Sequence, residues 1–200
     1  MTTYIFQRIS KEGMQAGITP GTIDARDWLR DRASQITSVN NTKLMRESAN
    51  MYSRLSNSDI GRMFMFFYDP KHKKTLPYYD RFPLIFVIDR KKDGFLGMNL
   101  HYLPPLFRAR LMDALYSIER IDNIRKSKKL KLTYELLNSA SRFRYFRPCI
   151  KQYLNQHRRS RFLYIPYNEW DIALMLPTER FVKDNKQNVW NESKRIILGK

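Results

Sequence analysis

The run Pro83-Leu-Ile-Phe-Val-Ile-Asp-Arg-Lys-Lys-Asp-Gly-Phe-Leu-Gly-Met-Asn-Leu-His-Tyr102 reads as two strands joined by a tight turn. Residues 83–88 are almost wholly apolar, the pattern of a strand covered on both faces. Lys92-Asp93-Gly94 supplies the turn, because an Asp-Gly step between two such runs is a hairpin signal. Residues 95–102 return as its partner. Upstream, Arg62-Met-Phe-Met-Phe-Phe-Tyr68 is an aromatic-rich strand stopped by Asp69-Pro70, and downstream Arg161-Phe-Leu-Tyr-Ile165 offers a fourth. The expected fold class is α+β: a small antiparallel β-sheet or partly open barrel over about 62–102 plus 161–165, with flanking helices.

The flanks are predicted as follows. Gly13, Gly17, Pro20 and Gly21 make residues 1–20 an irregular arm. Thr22 caps a helix running past Trp28 and Leu29 toward Ile36, and a second helix spans 42–54. Both are weakly amphipathic, so a partner could cover them as readily as this chain. Pro104-Pro105 opens a helix whose stripe is Leu106, Phe107, Leu111, Met112, Leu115 and Tyr116, with Arg108 and Arg110 off it. Further helices are expected near 131–141 and 148–157, a short one from Asn168 to Pro177, and a last one over 184–197. This divides the chain into an N-terminal arm with helices, 1–60, and an α+β core with a basic helical region, 61–200.

Composition narrows the function. Hydrophobic residues make up 42% of the 200, too many for a disordered tail. Lys and Arg number 37 against 19 Asp and Glu, a formal charge of +18. A folded body so charged repels itself and calls for a polyanionic partner, nucleic acid first and an anionic membrane second. No window approaches the roughly 18 apolar residues of a spanning helix, and the first residues lack the apolar run of a secretory signal. One cysteine, Cys149, forms no intramolecular disulfide and no Cys-rich zinc site. A soluble intracellular product with no membrane partner is expected.

The positive charge is unevenly spread. From His101 to Leu163 there are fifteen Lys or Arg and four Asp or Glu, so this stretch carries +11. The candidate nucleic-acid contacts are Arg125, Lys126, Lys128, Lys129 and Lys131; Arg142, Arg144, Arg147 and Lys151; and Arg158, Arg159 and Arg161. Solvated helix faces interleave both signs, and these clusters do not. In Ser141-Arg-Phe-Arg-Tyr-Phe-Arg147 arginines alternate with rings, which suits two-donor contact with phosphate and stacking on exposed bases. The plainer reading makes the rings core and the arginines solvated. Lys71–Lys74 and Arg90–Lys92 extend the same surface if their loops project from one end of the sheet.

Catalytic signatures are weak. Asp80, with Asp89-Arg90-Lys91, matches the acid…acid-x-lysine spacing of metal-dependent nucleases, but a turn-forming Asp explains Asp89 equally well. His72, His101 and His157 stand far apart, without partners at metal-ligand spacing, and fit structural or surface roles. Cys149 reads as a buried thiol. No Gly-rich phosphate loop is present, and neither enzyme chemistry nor a cofactor is expected. Tyr78-Tyr-Asp-Arg-Phe-Pro83 reads as a shaped corner in which Asp80 satisfies backbone donors or pairs with Arg81.

Three segments together resemble a known family: Phe66-Phe-Tyr-Asp-Pro-Lys71, Leu76-Pro-Tyr-Tyr-Asp-Arg-Phe-Pro-Leu84 and Asp93-Gly-Phe-Leu-Gly-Met-Asn-Leu-His-Tyr-Leu-Pro104. They are similar to virion proteins of T-even-like tailed bacteriophages, some of which are labelled DNA end protector. The likeness continues through Phe143-Arg-Tyr-Phe-Arg-Pro148, Arg159-Ser-Arg161 and Asn168-Glu-Trp-Asp171, most of the chain after Gly61. It implies a virion protein, in the host cytoplasm during assembly, that binds a packaged DNA terminus without sequence preference and shields it by occlusion. Its partners would be DNA and other phage structural proteins, with a homo-oligomer also open. A second function class stays open: a head, neck, tail or baseplate component making protein contacts only.

Overall fold

A computed structural model describes residues 4–19, 22–119 and 144–199; nothing is said of side chains at 115–119 and 144–145. The strands are β1 (Met51–Tyr52), β2 (Met63–Met65), β3 (Tyr79–Asp80), β4 (Leu84–Lys91), β5 (Gly94–Asn99), β6 (Ile150–Leu154), β7 (Phe162–Ile165) and β8 (Phe181–Val182). Helices are α1 (Ile5–Gln15), α2 (Ile23–Ser34), α3 (Asn41–Glu47), α4 (Pro105–Glu119), α5 (Trp170–Met175) and α6 (Lys186–Leu198). The main sheet has six strands in the order β1-β7-β2-β4-β5-β6, all antiparallel, and β3 with β8 forms a second, two-stranded sheet.

The expected α+β class holds, and the sheet does not close into a barrel among the described residues. Alternation along the strands sorts the core onto two faces. Met63, Met65, Leu84, Phe86, Ile88 and Met98 face the helices, with Phe86 against Trp170 at 4.9 Å. Phe64, Phe66, Ile85, Val87, Phe95 and Phe162 fill the other face, largely ring upon ring. A bulge between Val87 and Asp89 keeps Ile88 in the helix-side core while Asp89 moves outward. Beyond β2 the chain stays extended: the Asp69 amide donates to the His157 carbonyl and the Arg159 amide to that of Phe67.

Four expectations need correction. Residues 5–15 form a helix, α1, despite Gly13; its Phe6 and Ile9 are fully buried, and Gly13 lets the Trp28 ring approach. The helix predicted over 42–54 stops at Glu47, and Met51 and Tyr52 join β7 instead. The helix predicted near 148–157 is the strand β6. Ile150, Tyr153 and Leu154 suit either period in so short a run, and five ladder pairs with β5 decide it. The stripe of α4 is also rotated: Leu111 and Met112 are buried with Arg108, whereas Leu106 is exposed. Arg108 is tolerated inside because Nε, Nη1 and Nη2 donate to the carbonyls of Leu103, Leu174 and His101, and its guanidinium faces the Trp190 ring. The helix expected near 131–141 lies outside the described residues.

The first three helices share the sheet's core. Ala33 and Leu44 belong to the same buried cluster as Leu84 and Met98. Arg30 of α2 also reaches across, donating to Asp171 at 2.6 Å and to Asp113 at 2.8 Å. The caps at Thr22, Asn40 and Asn185 accept from the amides of Ala25, Lys43 and Asn188 as short polar caps do.

Two stability predictions follow from this packing. A Cβ at Gly94 would lie 1.9 Å from the Tyr153 carbonyl oxygen, so Gly94→Ala should cost about 2 kcal/mol or more in urea unfolding. Glu169 is buried, and burial pushes its carboxyl from 4.5 up to about 7. The native state then holds a proton that the unfolded state releases, so stability falls as pH rises from 4.5 through 7. Glu169→Gln should therefore raise the melting temperature more at pH 8 than at pH 5.

Candidate nucleic-acid interface

Three basic loops meet at the turn between β6 and β7. The Asn155 amide donates to the carbonyl of Asp93, which ties the Arg90–Lys92 hairpin to this turn. On its other side, His157 Nδ1 lies 3.0 Å from the Asp69 carbonyl, and the ladder of 67–69 with 157–159 brings in the loop of Lys71–Lys74. That loop is held from beneath by Lys183, whose Nζ donates to the carbonyls of Lys74 and Leu76 at 2.8 Å each. Lys71, His72, Lys73, Lys74, Lys91, Lys92, Arg159 and Arg161 are all exposed. Some are partly neutralised: Lys73 and Arg159 pair with Asp69, and Lys91 with Asp89. Lys73 and Arg159 hold the Asp69 carboxyl below its ordinary range.

Beside this rim lies a cleft of about 430 Å³ between β6 and the 70–80 segment. Tyr68, Tyr78, Tyr79, Tyr102 and Tyr153 wall it, Lys71 and His72 stand at its lip, and Lys151 enters from the edge strand. The Lys151 ammonium sits 4.2 Å from the centroid of the Tyr102 ring. Burial depresses its pKa, a trend that Cys149 and Glu192 oppose.

The floor is a closed polar network. Asp80 Oδ1 accepts from the amides of Phe82 and Arg180, while Oδ2 accepts from Asn99 and lies 2.7 Å from His101 Nδ1. His101 Nε2 reaches Thr178 Oγ1 at 3.0 Å, and all of these side chains are buried. Burial alone would raise the Asp80 carboxyl, but the His101 charge and hydrogen bond, with the two amides, hold it low. Asp80 thus takes the corner role expected of it, through backbone donors rather than Arg81, which is exposed. Its acceptor positions are filled, and Asp89 stands elsewhere, paired with Lys91, so the nuclease-like acid pair is not assembled. Among the described residues, no three His, Cys, Asp or Glu side chains converge to hold a metal ion. The Cys149 thiol is fully buried, which pushes its pKa up to about 12.

The predicted contact residues divide accordingly. Arg125, Lys126, Lys128, Lys129, Lys131 and Arg142 lie outside the described residues, and only the backbone of Arg144 is described. Arg147 is exposed on the short turn of 3-10 helix before β6. Lys151 is half-buried at the cleft. Arg158 is turned inward, over the Phe162 ring at 4.5 Å and donating to the carbonyls of Ser53 and Ser160. Burial lowers its pKa. Arg159 and Arg161 remain on the rim. Sequence reasoning missed the tyrosine cleft; the pairs Tyr78-Tyr79 and Lys151…Tyr153 were its only trace.

The family model described as phage T4 terminal DNA protecting protein matches residues 24–196. The chain belongs to that family. All the segments that carried the resemblance, from Phe66 to Asp171, fall inside the matched span. No curated protein and no solved structure matches the chain. Among the described residues, no helix of this family member is long and apolar enough to cross a membrane.

The floor makes its own prediction. With its folded pKa below the ordinary 3.8, Asp80 contributes stability in full above that value, and the contribution fades as pH drops beneath it. Asp80→Asn should lower stability at pH 7 by about 2 kcal/mol or more, by setting an amide donor against filled donor sites. It should also flatten the acid limb of the stability curve, as followed by thermal melts between pH 2 and 7.

Proposed function

We propose that this chain covers the termini of packaged linear DNA, holding them through phosphate contacts without sequence preference. The observation that carries the reading is the gathering of three basic loops, 71–74, 90–92 and 158–161, onto one rim by backbone hydrogen bonds. Loops fixed this way present their cations without a further ordering cost on binding. Membership of a terminal DNA protecting family and the +18 charge support the same partner. Arg125, Lys126, Lys128, Lys129, Lys131, Arg142, Arg144 and Arg147 would extend the contact along the duplex, and Lys151 would serve where the rim meets the cleft. Protection is occlusion: an exonuclease must seat the end in its own site, and a bound protein denies it that seat. No bond is made or broken, so the reading needs no catalytic residue and no cofactor.

A role limited to protein contacts drew on an unpaired apolar stripe in the first 55 residues. Phe6, Ile9, Ala33 and Leu44 of that stretch are buried within the chain's own core.

The test is titration of a linear duplex by fluorescence anisotropy between 50 and 200 mM salt. Affinity should fall steeply, with a log–log slope of about −0.9 per phosphate contacted. The triple variant Lys74→Ala, Lys92→Ala, Arg161→Ala should reduce that slope by about 3. Bound protein should also slow exonuclease digestion of the linear form. Absent or salt-independent binding would overturn the proposal.

A further inference from the structure

We infer that the tyrosine cleft beside β6 is the seat of the DNA terminus itself, taking one end nucleotide with its base against the rings and its terminal phosphomonoester on Lys151. The inference rests on the DNA-end reading above and supplies that reading with the chemical group it recognises.

The first argument is charge. Lys151 is half-buried, and among the described residues it has no carboxylate in an ion pair. A cation taken out of water without an anion is costly, and the Tyr102 ring face compensates only in part. The acid that influences it, Glu192, is exposed. Asp80, beneath the cleft, has its oxygens filled by His101, Asn99 and two amides. Lys151 therefore sets the sign inside, and Lys71 and His72 at the lip add to it. A phosphate bound there would supply the anion that offsets the burial now depressing the lysine's pKa.

The second argument is size and shape. At about 430 Å³ the cleft lies within the roughly 300–1,000 Å³ of small-ligand pockets. It cannot admit a double helix, whose major groove alone is about 12 Å wide. It suits one unpaired nucleotide, since the partly exposed rings of Tyr78 and Tyr79 can stack on any base and so impose no sequence.

The third argument is selectivity. To reach such a cleft from the interior of a duplex, a nucleotide must leave the stack at a cost of a few kcal/mol. A frayed terminal pair leaves it most cheaply, and only a terminus carries a phosphomonoester. The rim holds any duplex; the cleft discriminates an end from a middle.

The experiment uses the full chain and hairpin duplexes with one blunt end bearing a 5′-phosphate, a 3′-phosphate or hydroxyls only. A closed circular duplex serves as the endless control. A phosphorylated end should bind about tenfold tighter than the hydroxyl end, and the arm that shows the gain identifies which strand terminus is held. Lys151→Met, which keeps the stem over Tyr102, should erase that ratio. The exposed double variant Lys71→Ala, His72→Ala should reduce it, and its surface position guards against a loss caused by unfolding. Equal affinity for phosphorylated, unphosphorylated and endless duplexes, with salt dependence intact, would overturn the cleft assignment and leave the DNA reading standing. Full preference retained by Lys151→Met would overturn it as well. Failure to bind any duplex would overturn both.

Discussion

The Asp80 carboxylate joins three stretches of sequence: its own corner through Phe82, the end of β5 and the turn after it through Asn99 and His101, and the approach to β8 through Arg180. A carboxylate as buried as this one, at 4% exposure, would be untenable without such partners, so each donor is obligatory. The constraint spreads outward. Asn99 also donates to the Tyr153 hydroxyl, fixing one wall of the cleft. The carbonyl of His101 receives Arg108 and Trp190, which brings α4 and α6 against the same turn. Remove the central charge and the second sheet, the corner and the terminal helix lose their common point of attachment.

With so few acids in the chain, where they are placed decides where the positive field is left over. Asp171 and Asp113 take Arg30 inside the helical layer; Asp59 takes Arg62, Glu12 takes Arg32, and Glu179 takes Lys186. These pairs fasten elements to one another. Among the described residues, Asp69 and Asp89 are the acids paired with cations of the rim, and both lie at the loop roots. The tips, Lys71, Lys74 and Lys92, are left to solvent or to an anionic partner. Exposed charge of this kind adds little to stability and much to long-range attraction.

The hairpin of β4 and β5 was legible because its signals are local: an apolar run, an Asp-Gly step and a return. So were the caps at Thr22 and the helix opening at Pro105. β6 was not, because Ile150-Lys-Gln-Tyr-Leu154 has no period long enough to decide, and its strand character comes from β5, more than fifty residues away. α1 was missed for the opposite reason: Gly13 reads locally as a breaker, and its value lies in admitting the Trp28 ring. The basic rim was half legible. Its residues were visible in the sequence, but their convergence depends on backbone bonds such as Asn155 to Asp93 and Asp69 to His157. The cleft is the least local feature of all, assembled from residues between Tyr68 and Leu154.

Lys183 shows how such a surface is kept in shape. Its backbone is left-handed, φ 73°, a conformation that costs a non-glycine residue about 1 kcal/mol or more. The turn places its ammonium under the 71–76 loop, where it donates to two carbonyls. A lysine used in this way immobilises, from the surface, a loop that carries three other cations. That arrangement is unfavourable for a chain whose charge serves solubility alone, because it orders exposed cations against their mutual repulsion. It becomes favourable once a phosphate backbone occupies the rim, since the loop then meets its partner with its entropy already lost. The strain at Lys183 is thus a local cost that the proposed phosphate contact would repay.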